Sequence, residues 1–293
     1  MKSTIYQVFI TGATGNIGSE LISFLTPFSS KLNVIAGARN IEKAKKYFHE
    51  NSNLQFRSFD FENKETFSSG FEGIDILFLL RPPHISEVEK FFKPLLKSAQ
   101  KNGIKKVIFL SVQGAEKSKV IPHNKIERLI RRMDFDWIFV RPSYFMQNLT
   151  TSLAKEIKNK KSLTLPAGNG VFNWVDTKNI GEATAELIAN FENHQNKAFE
   201  ITGDENLTFG EVVELLNEVL PSPVIYKSIN PIRFYFKKKK EGLKAGYAMV
   251  MTFLHFLPRL QKAPLVSNSF RELTKKNPTS IRAFIEREKN VWL

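Results

Sequence analysis

An α/β architecture, a doubly wound parallel sheet with a smaller C-terminal appendage, is the fold class that this 293-residue sequence predicts. Three observations predict it. Short β-prone apolar runs alternate with segments of helical periodicity as far as Ile201. The first strand enters the first helix through glycines spaced three apart, Gly12, Gly15 and Gly18. The run Ile74 to Leu80 is apolar almost throughout, as a strand covered on both faces must be. Together they imply a parallel sheet with helices on both sides, right-handed crossovers, and ligands at the carboxyl ends of the strands.

Taken in order, the chain goes from Ile5 into a strand at Val8 to Ile10, and Ile17, Leu21, Ile22 and Leu25 mark the helix that follows. Val34 to Ala38 reads as a second strand, Ile41 to Glu50 as a helix, and Leu54 to Phe59 as a third strand. After Ile74 to Leu80 comes a helix from Ile85 to Lys101, stopped by Asn102-Gly103. Val107 to Leu110 is a strand, and Lys125 to Met133 a helix with the apolar face Ile126, Leu129, Ile130 and Met133. Trp137 to Val140 is a strand stopped by Pro142; Lys178 to Phe191 is a helix and Ala198 to Ile201 a late strand. Beyond Thr202 the pattern changes. A helix from Val212 to Leu220 is broken by Pro221 and Pro223, a helix from Leu243 to Leu257 lies in a mixed aromatic and basic stretch, and Pro278 to Lys289 closes the chain. The expected division is a dinucleotide-binding domain over residues 1–202, with segments near 145–175 also facing substrate, and a smaller, mainly helical substrate domain over 203–293.

Composition narrows the function. The absence of cysteine excludes thiol catalysis, disulfides and thiolate metal sites. His84, His123, His194 and His255 are scattered without ligand spacing, so no metal is expected. The net charge of +14 is dispersed, 22 basic against 14 acidic residues falling in residues 1–150. Dispersal argues for anionic small ligands such as phosphates and against nucleic acid as a partner. The densest basic run, Lys237 to Lys240, reads as a solvated loop or helix end, although it stands beside the apolar segment Tyr247 to Leu257 in a manner compatible with interfacial membrane contact. That segment, interrupted by Thr252 and His255, is well short of the ~20 residues a membrane span needs. No membrane partner is expected, and the chain, starting directly in a strand, is expected in the cytoplasm.

The glycine-lined turn carries most of the functional information. A strand that enters a helix this way leaves backbone N–H groups pointing outward at the positive end of the helix dipole, which suits a pyrophosphate. Gly12, Thr14, Gly15, Asn16, Ile17 and Gly18 are therefore candidate cofactor contacts. Dinucleotide folds that select the non-phosphorylated cofactor place an acid at the end of the second strand. Here that place holds Gly37-Ala38-Arg39-Asn40, and Arg39 with Lys43 suits a 2′-phosphate, so NADP(H) is preferred with NAD(H) as the alternative. Stacking of Arg39 on the adenine is the plainer role. Asp60 and Phe61 follow the third strand, where Asp60 either accepts from the adenine amino group or caps a helix near Asn63. Leu80, Arg81 and Pro82 end the fourth strand, Ser111 and Val112 the fifth, and Pro142 the next; all are placed to pass the ribose or nicotinamide.

The segments Thr11 to Gly18, Gly37 to Asn40, Phe78 to Pro83, Phe109 to Gly114, Pro122 to Glu127 and Arg141 to Asn148 resemble the NmrA-like group of atypical short-chain dehydrogenases/reductases. Val175-Asp176, Ile201-Thr-Gly203 and Pro278 to Phe284 fit the same group, so the resemblance covers nearly the whole chain. It implies a Rossmann fold and an NAD(P) cofactor. For activity it implies either an NAD(P)H-dependent oxidoreductase, passing hydride to a small hydrophobic acceptor of quinone, azo or conjugated type, or a non-catalytic redox sensor acting through a protein partner. By the same resemblance Lys125 is a candidate catalytic lysine and cofactor contact, and His123 a proton donor or substrate contact; the plainer readings are a solvated lysine and a surface histidine. Ordinary short-chain dehydrogenases use Tyr-x-x-x-Lys, but with Lys125 as the lysine the tyrosine position is Ile121. Tyr144 and Phe145 are expected on the nicotinamide side. Gln113, Met146, Asn148, Phe172, Trp174 and Phe253 are the candidate substrate contacts, with ordinary core packing as the alternative for the aromatics and for the segment Tyr247 to Phe256.

Overall fold

The computed structural model describes residues 5–49 and 54–293. Its chain divides into two compact units. The first takes the chain up to Pro142, then Thr177–Ile201 and Glu272–Lys275; the second takes Ser143–Asp176, Thr202–Arg271 and Lys276–Leu293. In chain order the elements are β1 (Tyr6–Ile10), α1 (Asn16–Leu25), β2 (Leu32–Ala38), α2 (Ile41–Tyr47), β3 (Gln55–Ser58), α3 (Glu65–Phe71), β4 (Ile76–Leu80), α4 (Val88–Lys101), β5 (Lys106–Leu110), α5 (Pro122–Arg132) and β6 (Asp136–Pro142). The second unit then contributes β7 (Tyr144–Phe145), α6 (Ala154–Lys160), β8 (Ser162–Leu165) and β9 (Val171–Val175). The first resumes with α7 (Thr177–Ala189), α8 (Phe191–His194) and β10 (Lys197–Ile201). Apart from the end of α12, the rest belongs to the second unit: β11 (Asn206–Thr208), α9 (Phe209–Val219), β12 (Ile225–Ser228), α10 (Pro231–Lys240), α11 (Ala245–Phe256), α12 (Ser269–Thr274) and α13 (Ile281–Glu288).

The first unit is a seven-stranded sheet in the order β10-β6-β5-β4-β1-β2-β3, parallel at every pairing. The strand order reverses at β1, beside β4, which is where an open α/β sheet leaves a crevice at its carboxyl edge. One face of the sheet is packed by phenylalanines: the Phe9 ring meets Phe59 and Phe71 edge-on at centroid distances of 5.3 and 5.5 Å. That ring also explains Gly37 near the carboxyl end of β2, because a Cβ there would lie 2.6 Å from Phe9 Cζ. On the other face α7 packs against α1 at Gly181, where a Cβ would come within 2.9 Å of the Glu20 carbonyl carbon.

Several element ends differ from the expected ones. Helix α4 starts at Val88 rather than Ile85, because the Arg81 guanidinium donates to the carbonyls of Pro82, Pro83 and Ile85 and holds that stretch as a loop. Helix α5 starts earlier, at Pro122, where a proline costs no hydrogen bond. Helix α2 ends at Tyr47, and the expected end at Glu50 lies outside the described residues.

The second unit carries two small sheets that periodicity did not announce, β11-β9-β7 and β12-β8, besides its helices. Its core is aromatic. Trp174, Phe209, Phe234, Phe284 and Trp292 are fully buried, and each indole N–H finds a carbonyl: Trp174 that of Leu207 and Trp292 that of Leu149. A Thr208–Glu211 capping box starts α9, and the Ser280 hydroxyl accepts from the Ala283 N–H to start α13.

Candidate functional site

The carboxyl edge of the parallel sheet gathers most of the predicted cofactor residues. Gly12 has φ +64°, a left-handed conformation that glycine adopts without strain, and its carbonyl accepts from the Gly15 N–H at 3.0 Å. The turn is tied to β4 by Thr11, whose hydroxyl accepts from the Leu80 N–H at 2.8 Å and donates to the Phe78 carbonyl. Gly18 brings α1 onto the turn: a Cβ there would lie 2.3 Å from the Gly12 carbonyl oxygen. Gly15 is the N-cap of α1 and brings no side chain to satisfy the first-turn amides, and no acid stands in that turn. Thr14, Gly15 and Asn16 are exposed, whereas Ile17 is buried, so at Ile17 only the main chain is available to a ligand. Open amides at the positive end of a helix, without a competing carboxylate, form an anion receptor.

At the end of β2, Arg39 and Lys43 are both exposed, and neither is ion-paired among the described residues. Glu42, the next acid along the chain, is paired with Lys45 at 3.2 Å. After β3, Asp60 spends one carboxylate oxygen on the Glu62 N–H, closing a local turn rather than capping α3. Phe61 is not open to a ligand: it is buried against Phe59 and Phe92.

Beyond β4 and β5 the side chains are engaged with one another. Arg81 donates from Nε to His123 Nε2 at 3.3 Å. Burial, and then the charge of Arg81, push the His123 imidazole down to about 3, so the ring is neutral at physiological pH and Nε2 is an acceptor. The expected proton-donor role does not suit a ring in that state. The Ser111 hydroxyl, expected to face a nicotinamide, donates to the buried Glu127 Oε1 at 2.6 Å. Glu127 in turn takes a bidentate pair from Arg141, Nε at 2.9 Å and Nη2 at 2.7 Å, while Arg141 Nη1 reaches Glu116 at 2.8 Å. Burial alone would lower the Arg141 guanidinium, but hydrogen bonding to Glu127 and the charges of Glu127, Glu116 and Glu200 hold it above its ordinary value. This network pins α5 to β5 and β6. Lys125, on the same helix, is exposed and makes no ion pair among the described residues. Asn124 donates to the Ala115 carbonyl, and its buried Oδ1 has no hydrogen-bond partner among the described residues. Gln113 bonds Glu200 at 2.9 Å, Val112 is part-buried, and Pro142 is buried at the end of β6.

The remaining candidates lie in the second unit. Tyr144, Met146, Phe172 and Trp174 are buried in one core cluster, so the packing role is the one realised, while Phe145 and Asn148 stay partly exposed and Phe253 is exposed. Sequence reasoning missed the partner of Tyr144. His255 Nδ1 faces the Met251 carbonyl at 2.7 Å and must carry its proton there, so Nε2 accepts from the Tyr144 hydroxyl at 2.9 Å. Burial raises the Tyr144 phenol, outweighing the hydrogen bond from Asn148, so no phenolate forms there near neutral pH. The Tyr-x-x-x-Lys spacing does occur once, at Tyr235 and Lys239 on α10, in the unit that lacks the glycine turn.

A pH dependence follows. Burial, chiefly, pushes the His255 imidazole down to about 4 against an unfolded value near 6.5. Between these limits the unfolded chain binds the proton and the folded chain does not, so stability is fully present above about pH 6.5 and falls as pH drops towards 4, by about 3 kcal/mol from this group. His123 acts in the same direction. Unfolding midpoints at pH 7 and pH 5 should fall less for His255→Gln than for wild type; equal falls would refute the assignment.

A sequence profile of the NmrA-like family matches residues 2–279. The prestalk A differentiation protein A of Dictyostelium discoideum is 26% identical over 97% of this chain and 93% of its own length. The NAD(P)H azoreductase of Xenophilus azovorans is 26% identical over 76% of this chain and 77% of its own. Among solved structures, Citrobacter sp. triphenylmethane reductase complexed with NADP(H) superposes with a TM-score of 0.81 at 21% identity, over 97% of this chain and 100% of that chain, which shows the shared Rossmann-type fold. With the profile spanning nearly the whole sequence, and the glycine turn and strand order in place, the chain belongs to the NmrA-like family.

Proposed function

We propose that this protein is an NADPH-dependent oxidoreductase that delivers hydride to a small, hydrophobic, electrophilic acceptor of quinone, azo or conjugated type. The observation that carries the reading is the acid-free amide turn at Gly12–Gly18 together with two exposed cations after β2, Arg39 and Lys43, that make no ion pair among the described residues. The residues fit the group: the turn amides take the pyrophosphate, Arg39 and Lys43 the 2′-phosphate, and the free oxygen of Asp60 the adenine amino group. Main chain at Leu80, Arg81 and Pro82, and at Ser111 and Val112, ends the central strands on the same carboxyl edge and would hold the ribose and nicotinamide. Bound NADPH would supply hydride from C4 of its nicotinamide. An electrophilic acceptor needs little acid assistance, so positioning supplies most of the acceleration. Lys125 is the group left to hold the acceptor oxygen or deliver the proton, since His123 is neutral and engaged with Arg81. The similarity to an azoreductase and a triphenylmethane reductase supports the acceptor class.

The test is a calorimetric titration with NADPH, NADP⁺, NADH and NAD⁺, followed by NADPH oxidation with a 1,4-naphthoquinone. Wild type should prefer NADPH and consume it. Arg39→Asp should weaken NADPH about tenfold to hundredfold while sparing NADH. Lys125→Ala should lower kcat without changing NADPH affinity. Tight NADPH binding with no turnover on quinone, azo or cationic dyes would overturn the reading in favour of a sensor acting through a protein partner.

A further inference from the structure

Helix α11 departs from the rule that a surface helix turns its polar side outward. Its buried face is Ala248, Met251, Thr252 and His255. The outward side carries Tyr247, Met249, Val250, Phe253 and Leu254, continued by Leu257 just past the helix, each between 38% and 48% exposed, without a charged residue among them. With 12 residues the helix is about 18 Å long, too short to cross a bilayer. Among the described residues no helix is long and apolar enough to do so.

The surroundings of this face are basic. From Ile225 to Ala263 the chain has nine Lys and Arg and one carboxylate, Glu241. Glu241 is bound to Lys238, and Lys237 is bound to Glu156. Lys239, Lys240, Lys244, Arg233 and Lys262 are exposed and make no ion pair among the described residues. Helix α10, packed on α11, mixes exposed Ile232 and Phe236 with Arg233, Lys239 and Lys240. An apolar face on a helix packed against a basic one, with exposed cations that make no ion pair among the described residues, complements one surface in particular, apolar within and anionic at its boundary. A second copy is disfavoured, since an isologous contact would set this charge against itself.

We infer that α10 and α11 dock the protein peripherally on an anionic lipid surface, the outer face of α11 lying in the headgroup region and the lysines contacting the phosphates. The docking stands apart from the proposed oxidoreductase activity and does not depend on it.

The experiment is vesicle co-sedimentation of the full chain, with vesicles of about one-third phosphatidylglycerol in phosphatidylcholine against phosphatidylcholine alone. Binding should require phosphatidylglycerol and weaken as salt is raised. Lys239→Ala with Lys240→Ala should weaken binding about thirtyfold. Leu254→Ser with Leu257→Ser should weaken it at least tenfold. All four side chains are exposed, so unfolding midpoints should be unchanged, which separates lost docking from lost fold. No binding to either vesicle, or equal binding to both, would overturn the inference. So would lipid-independent self-association that the serine pair abolishes, which would assign the face to a second copy.

Discussion

Gly18→Ala should cost at least a hundredfold in NADPH affinity and about 1–3 kcal/mol in stability. The added methyl would fall 2.3 Å from the Gly12 carbonyl oxygen, 2.8 Å from Ala13 Cα and 2.9 Å from the Gly12 carbonyl carbon. All three are backbone atoms, so no side chain can swing aside, and α1 must move off the turn whose amides it carries. Gly15→Ala is the control, because its Cβ would meet only the Gly12 carbonyl oxygen, at 3.2 Å. That contact is relieved by a shift of a few tenths of an ångström, so the fold should survive with its midpoint within a few degrees of wild type. Calorimetric titration and thermal unfolding of the two variants test the argument together. Unchanged affinity in Gly18→Ala would show that the phosphate does not depend on the approach of helix to turn.

Glu127→Ala should destabilise the protein by about 3–5 kcal/mol, because it leaves the buried Arg141 guanidinium without its bidentate partner. Glu116, on the surface side, remains as its single carboxylate partner, and the Ser111 hydroxyl loses its acceptor. Glu127→Gln keeps the shape and part of the hydrogen bonding and should fall between. The pair Glu127→Leu with Arg141→Leu should recover much of the loss, since two apolar groups leave no uncompensated charge. Denaturant unfolding of the three variants measures this directly. If the double variant is as unstable as Glu127→Ala, the loss comes from packing and not from the stranded cation. Because the network fixes α5 on the sheet, Glu127→Gln should also lower turnover through the position of Lys125.

Much of the fold was legible because its signals are local. The glycines from Gly12 to Gly18, the apolar run closing at Leu80 and the stop at Asn102-Gly103 each lie within one strand, turn or helix, where periodicity and backbone sterics operate over a few residues. The small strands β7, β8, β9, β11 and β12 were not legible. They span two to five residues and owe their existence to partners elsewhere in the chain.

By itself, then, the sequence determined the α/β class, the glycine-lined turn at the start of α1, and the cations that stand where an acid would after β2. What each functional side chain is free to do was decided by tertiary structure. Ser111 is engaged by a glutamate 16 positions on, Arg81 by a histidine 42 on, and Tyr144 by a histidine 111 on. Hydrogen-bond commitment and protonation depend on which groups burial brings within about 3 Å and how far it removes them from water, and neither is written in the spacing of residues along the chain.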